Sequence, residues 1–368
     1  MKNFIKTLTA LTFILSFTVL TMNAKVKIVD NVTGEPLVKA SVFDKNGKFI
    51  AITDDYGIVP SSVTVKSYPL NIRYVGYEPK EVLSPNEEIV KLEETSYDLP
   101  EVMIDAENRN LLWIKAYIRN YATRTTVEDT IMVFEEKIVD FVFPMSKKAK
   151  FKGWKKPRVL STRRYDWVSD GKRDTVLYKE GYDGKNYSYH LTDKFVLPEA
   201  MALGTSTFEI VPGKYSDKET WRKRGDTYFL ELDGLADYKN HLKKPTVAKV
   251  LGFTMEMDQD DMTYKFIDNG KGEFSPEDIL EATVVYHINL SGKAIKFAYE
   301  TKSDMDINGY GELFVIDRAY LTANEAKELK KDAPVIQLDF EDPENIPLPP
   351  AQIIQLKERA KRENPNAK

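Results

Sequence analysis

Residues 26–57 read VKIVDNVTGEPLVKASVFDKNGKFIAITDDYG, and the punctuation of this stretch decides the fold. Val26 to Val29 is a β-rich start. Asn31 to Pro36 turns, with Gly34 and Pro36 as the breakers. Val38, Ala40, Val42 and Phe43 make the next strand. Asp44-Lys45-Asn46-Gly47 is a hairpin turn, because Asn-Gly accepts the positive φ angles that a tight hairpin demands. Phe49 to Ile52 returns, and Thr53 to Gly57 turns again. Further on, Val63 and Val65 alternate, as do Leu70, Ile72 and Tyr74, until Gly76 closes that strand. Strands this short and closely spaced predict a small sandwich or barrel. The glycines are turn residues, and Asp54 is expected to cap its turn through the neighbouring backbone.

Three separated motifs occur in order here: Ile28-Val-Asp30-x-x-Thr33-Gly34-Glu35-Pro36-Leu37-x-x-Ala40-x-Val42, then Thr53-Asp54-x-x-Gly57, then Ile72-Arg73-Tyr74-Val75-Gly76-Tyr77. On these residues the segment resembles the carboxypeptidase-regulatory-like domain. The resemblance covers residues 25–93. It implies a transthyretin-like β-sandwich of the kind found at the N-termini of bacterial outer-membrane receptors and cell-surface proteins, and no peptidase activity. One departure is Pro60, directly after Ile58-Val59, which should keep that strand short or bent.

Upstream, residues 1–24 read as a signal peptide. Lys2 and Lys6 precede an apolar stretch from Leu8 to Leu20, and Ala24 ends the segment, although Met22 stands where a smaller residue is preferred. The apolar stretch is shorter than the roughly 20 residues of a membrane helix, and no later segment approaches that length. The chain is therefore expected in the periplasm or at the outer membrane or cell surface. Its 368 residues contain no Cys, which removes lipidation at a cleavage-site cysteine, disulfides and thiol chemistry together. Without Lys2 and Lys6, 51 basic residues face 57 acidic ones, a net charge of −6. Neither the charge nor the location suggests nucleic acid.

No catalytic constellation assembles in the sequence. A zinc carboxypeptidase needs a His with a Glu three residues on and a distant second His. The three histidines, His190, His241 and His287, give no such spacing. The closest approach to a nucleophile elbow, Leu203-Gly204-Thr205-Ser206-Thr207, lacks its second Gly. No catalytic residue, cofactor or metal ligand is assigned, and His287 reads as structural. Asp304-x-Asp306-x-Asn308-Gly309 matches the first half of a calcium loop, but position twelve is Val315, so a hairpin turn is the better reading.

The remainder predicts a larger antiparallel β-rich domain with a few helices, making the fold class mainly β. Residues 94–107 are an acidic linker. Residues 108–332 form the β-rich domain, opened by a helix over Asn108 to Thr123, where Leu111, Ile114, Ile118 and Tyr121 fall at steps of three and four. Candidate strands are 134–143, 159–168, 175–189, 227–232, 249–257, 282–290, 294–303 and 311–319, with a hairpin turn at Asn289 to Gly292. One large curved sheet or open barrel is expected. After a short helix at Ala323 to Lys331, residues 333–368 form a Pro-rich spacer and a basic C-terminal helix.

Between Phe141 and Tyr165 there are nine Lys or Arg and no Asp or Glu. Lys147, Lys148, Lys150, Lys152, Trp154, Lys155, Lys156 and Arg158 are the candidate ligand-binding residues, suited to an anionic surface. A solvated sheet edge would look the same. The expected function is a non-catalytic exported envelope protein with a binding or assembly role, its partner an envelope protein, lipid or glycan. The alternatives are a periplasmic lipid or glycan carrier using a concave sheet, and a glycan hydrolase.

Overall fold

The computed structural model describes residues 25–95, 109–145, 151, 153–154, 157–169, 174–179, 201–202, 208–211, 218–236, 238–245, 249–298, 301–332 and 340–363. The protein is mainly β. Six short strands come first: β1 Lys27–Asp30, β2 Ser41–Phe43, β3 Phe49–Ile52, β4 Leu70–Arg73, β5 Lys80–Val82 and β6 Ile89–Leu92. β1 and β6 pair in parallel, while β3-β2-β4-β5 form an antiparallel sheet. The two layers enclose Ile28, Val42, Leu70, Ile72, Val82 and Leu92, all buried. Asp54 caps its turn by accepting from the Tyr56 and Ile58 backbone N–H groups. Gly57 cannot be replaced without strain: its φ is +72°, and a Cβ there would lie 2.5 Å from the Ile28 carbonyl oxygen.

Twelve further strands follow: β7 Leu111–Thr125, β8 Thr130–Pro144, β9 Arg158–Ser169, β10 Asp174–Lys179, β11 Met201–Ala202, β12 Phe208–Val211, β13 Lys218–Arg224, β14 Thr227–Asp233, β15 Thr254–Ile267, β16 Glu273–Phe274, β17 Ile279–Ser291 and β18 Met305–Leu321. Ten of them form one antiparallel sheet in the order β10-β9-β8-β7-β18-β17-β15-β14-β13-β12. Two meanders, β7 to β10 and β12 to β15, are joined through β17 and β18 at the centre. The helices are α1 Lys293–Ala298, α2 Ala323–Lys331 and α3 Ala351–Glu363.

The two faces of this sheet differ in chemistry. On one, Leu112, Ile118, Leu230, Tyr264, Ala282 and Leu313 belong to an apolar core that includes Trp221, Phe266 and Phe274 in mutual ring contact. The other face lies under the sandwich and the C-terminal segment. There the register lines up Glu231, Thr263, Thr283, Glu312, Arg119, Glu136 and Arg163 across seven neighbouring strands. The sandwich docks on this row through Arg73, whose Nε donates to Glu312 Oε1 at 2.6 Å. Phe43 and Phe49 pack against Tyr310 beside it.

Four expectations need correction. Residues 111–125 are the strand β7 and no helix opens the β-rich domain. Ile114 and Ile118 are four apart, which suits either element, but alternate residues here bury opposite faces. The expected strand at 294–303 begins instead as α1, so Asn289 to Gly292 leads into a helix, not a hairpin. Asp304 is followed directly by β18, which carries Asp306 to Gly309 in its ladder against β17. The Pro-rich segment is no free spacer: the Phe340, Pro347 and Leu348 carbonyls accept from Arg163, Arg119 and Arg73. It straps α3 onto the sheet, where Ile353 and Ala360 are buried with Phe134 and Tyr165.

Candidate functional site: an acidic cleft beside the sandwich

The face that buries the ionic row continues past the edge of the sandwich into a cleft of about 410 Å³. Lys39, Asp233, His241, Asp258, Asp260, Asp261 and His287 are among the residues that line it. His287 stands on β17, two residues beyond the buried Val285. A β-bulge brings Asp258 to it: the β15–β17 register passes from Met257 opposite Ile288 to Gln259 opposite His287, leaving Asp258 as the extra residue. Asp306 reaches the same ring from β18.

His287 Nδ1 lies 2.5 Å from Asp258 Oδ1, and Nε2 lies 2.6 Å from Asp306 Oδ2. With an acceptor at each nitrogen, the doubly protonated ring is favoured. The hydrogen bond to Asp306 raises its pKa most, and that to Asp258 adds to it against the cost of burial, so His287 titrates at about 9. The same bond holds the Asp306 carboxyl below its ordinary range. Asn308 Nδ2 donates to the other Asp306 oxygen at 2.6 Å and fixes its orientation.

The sandwich contributes Lys39, a non-glycine residue at φ 59°, whose amine donates to Asp261 at 2.5 Å. Burial depresses the Lys39 pKa more than any single interaction raises it, but the charge and hydrogen bond of Asp261 together with the charges of Glu231 and Asp233 make the net shift upward. Its left-handed backbone marks a position where surrounding structure holds the side chain toward the sheet. The cleft is thus framed by two layers that the Arg73–Glu312 contact holds together. Four aspartates line it against the cations Lys39 and His287. Among the described residues, no group of three or more His, Asp or Glu converges to hold a metal ion. What the cleft offers is carboxylate oxygens on a fixed frame, suited to cationic or hydrogen-bond-donating groups.

The residues picked out for an anionic surface are not brought together here. Lys147, Lys148, Lys150, Lys152, Lys155 and Lys156 lie outside the described residues. The other two serve the fold. The Arg158 guanidinium lies 4.6 Å from the centre of the Trp154 ring and donates to both oxygens of Asp140. The Trp154 backbone N–H donates to the Val142 carbonyl. Sequence reasoning missed the cleft. It treated His287 as structural and Asp306 as part of a turn, and nothing local tied Asp258 to either.

A comparison with protein-family models gives no match, and neither does one with curated proteins. Among solved structures, the chain is similar to one described as "lipid-protein interactions in lipovitellin", with a TM-score of 0.29 and 9% identity. That similarity covers 58% of this chain and spans 26% of the lipovitellin chain.

Proposed function

We propose that this is a non-catalytic exported protein of the bacterial envelope, with a binding or assembly role carried by the cleft between its sandwich and its sheet. The observation that carries this reading is the state of the cleft's ionisable groups. His287 is locked as an imidazolium between two carboxylates, and Lys39 is held by Asp261. A general acid or base working near neutrality needs a pKa close to the operating pH. His287 is moved away from that range. Paired charges on a rigid frame favour recognition over proton transfer.

The core on the opposite face supports the same reading over a lipid or glycan carrier. Trp221, Phe266 and Phe274 are buried in contact with one another, and this part of the face is filled by its own side chains. The carboxypeptidase-regulatory-like resemblance of residues 25–93 supports an envelope address. Export itself rests on the signal-like residues 1–24.

Native mass spectrometry of the protein purified from an envelope fraction tests the proposal. A co-purified partner that is lost in an Asp258→Asn, Asp261→Asn double variant is the expected result. A bare monomer, or a partner retained by that variant, would overturn the binding role of the cleft.

A further inference from the structure

The end of the sheet where β15 begins and β17 ends carries an exposed apolar tip. Phe297 on α1 is 89% exposed, and Val250 and Leu251 in the segment before β15 are 82% and 62% exposed. The two segments meet: a Cβ on Gly252 would lie 3.7 Å from that of Ala294, and one on Gly292 would lie 3.1 Å from the Phe253 backbone. Thr254 and Ser291 are register partners, so both segments leave the sheet at the same point. Ile295 is buried in the apolar core and Phe253 packs against it. The tip is therefore anchored from below while Phe297, one helical turn beyond Ala294, faces water. Single exposed apolar residues are ordinary, but three this exposed on two touching segments are not.

The two segments themselves carry charge of one sign. Residues 242–253 and 289–298 hold five lysines and no Asp or Glu. Lys249, Lys293 and Lys296 are exposed beside the apolar residues. Among the described residues, carboxylates approach from neighbouring segments: Asp304 is 3.9 Å from Lys296, and Glu256 pairs with Lys244. This is a projecting tip with an aromatic at its end and lysines beside it. That arrangement fits the headgroup region of a bilayer, where an aromatic ring enters the acyl boundary and ammonium groups lie against phosphates.

We infer that this tip docks the protein on a lipid bilayer bearing anionic headgroups, with Phe297 and Leu251 entering the boundary and Lys249, Lys293 and Lys296 facing the phosphates. The inference shares with the proposed function only the envelope location. A vesicle assay with purified mature protein reads docking separately from export and from whatever the cleft binds.

The probes are vesicles of phosphatidylcholine alone and of phosphatidylcholine mixed with phosphatidylglycerol. Co-sedimentation is expected with the mixed vesicles and should weaken as salt rises. A Phe297→Ser, Leu251→Ser double variant should bind roughly tenfold more weakly. Lys293→Gln and Lys296→Gln should each cost roughly fivefold at low salt. A Phe297→Trp variant should show added blue-shifted emission on the mixed vesicles. All these positions are exposed, and unchanged circular dichroism will show that the variants fold. Failure of the parent protein to bind mixed vesicles, equal binding by the apolar double variant, or no blue shift would each overturn the inference.

Discussion

Arg119 on β7 and Glu312 on β18 are register partners in the middle of the ten-stranded sheet, and Arg119 Nη2 lies 2.8 Å from Glu312 Oε2 with both side chains almost fully buried. The contact is an ion pair without hydrogen-bond alignment; Arg119 donates instead through Nη1 to the Pro347 carbonyl. Glu312 also accepts from Arg73 of the sandwich. One carboxylate is therefore shared by two guanidinium groups that come from different layers. Glu312→Gln takes from both cations the carboxylate that they share in the interior, and removing one partner of a buried pair costs about 3–5 kcal/mol. The urea-unfolding midpoint should fall accordingly, and limited proteolysis should cut between sandwich and sheet first. A change within about 1 kcal/mol would show that Arg73 and Arg119 are satisfied without Glu312.

Four buried glutamates divide into two pairs, and this fixes a pH profile. Burial raises Glu312 and Glu136, but Arg119 and Arg73 for the first, and Arg163 and Lys357 for the second, bring each to a net value below the ordinary 4.5. Their stabilisation is complete above pH 4.5 and is lost as pH falls through the lowered values. Glu231 and Glu281 go the other way: burial dominates and their net shifts are upward, despite Arg222 near the first and Lys265 near the second. In the window above pH 4.5 the folded state holds their protons more tightly than the unfolded chain does, so stability falls as pH rises. The thermal midpoint should pass through a maximum just above pH 4.5. Glu281→Gln keeps an acceptor for the Gly76 N–H and should flatten the decline on the alkaline side of that maximum. Scanning calorimetry across pH 3.5 to 7 checks it, and a midpoint rising steadily over the whole range would refute it.

The sandwich was legible in the sequence because its information is local: turn glycines and an Asp cap lie within a few residues of the strands they end. The large sheet was legible as β-rich, but its strand β7 was not. Both faces of β7 are buried, one by Leu112, Ile114 and Ile118 and the other by Tyr117, Arg119 and Tyr121, so the wet–dry alternation that marks a strand disappears. Spacings of four then fit a helix equally well. Arg119, Glu136, Arg163 and Glu312 read as surface charges until their cross-strand partners are known, and those partners are up to 193 positions apart. The same holds for the cleft. Asp258 reaches His287 only because a bulge re-aims it, and a bulge depends on pairing that one strand's sequence does not specify.

Gly309 offers a steric test of how tightly the apolar face is packed. Its φ is not in the left-handed region, so flexibility is not what requires glycine. A Cβ there would meet the Tyr286 ring, with Cζ at 2.0 Å and Cε1 at 2.2 Å. These two are register partners, and the ring lies flat over the glycine. Gly309→Ala should cost about 1–3 kcal/mol through overpacking. Tyr286→Leu alone leaves a gap and also destabilises, but the pair together should lose less than the sum of the two single changes. A double-mutant cycle by denaturant unfolding measures this, and strict additivity would mean the ring has room to move.

His287 sets the alkaline limit of the cleft. Its folded pKa of about 9 stands above the ordinary 6.5, so the imidazolium contributes stability that is fully present below pH 6.5 and is lost as pH rises through about 9. The ring is a quarter exposed and its two aspartates about half exposed, so solvent reduces the contribution to about 1–2 kcal/mol. His287→Gln should remove that alkaline loss and leave the profile below pH 6 nearly unchanged in shape. The imidazole proton resonances of the parent protein should titrate near pH 9. A midpoint near 6.5 would mean that Asp258 and Asp306 do not grip the ring in solution, and the cleft would then hold an ordinary histidine able to exchange protons near neutrality. Recognition of a partner by the cleft without exchange of protons therefore rests on this titration.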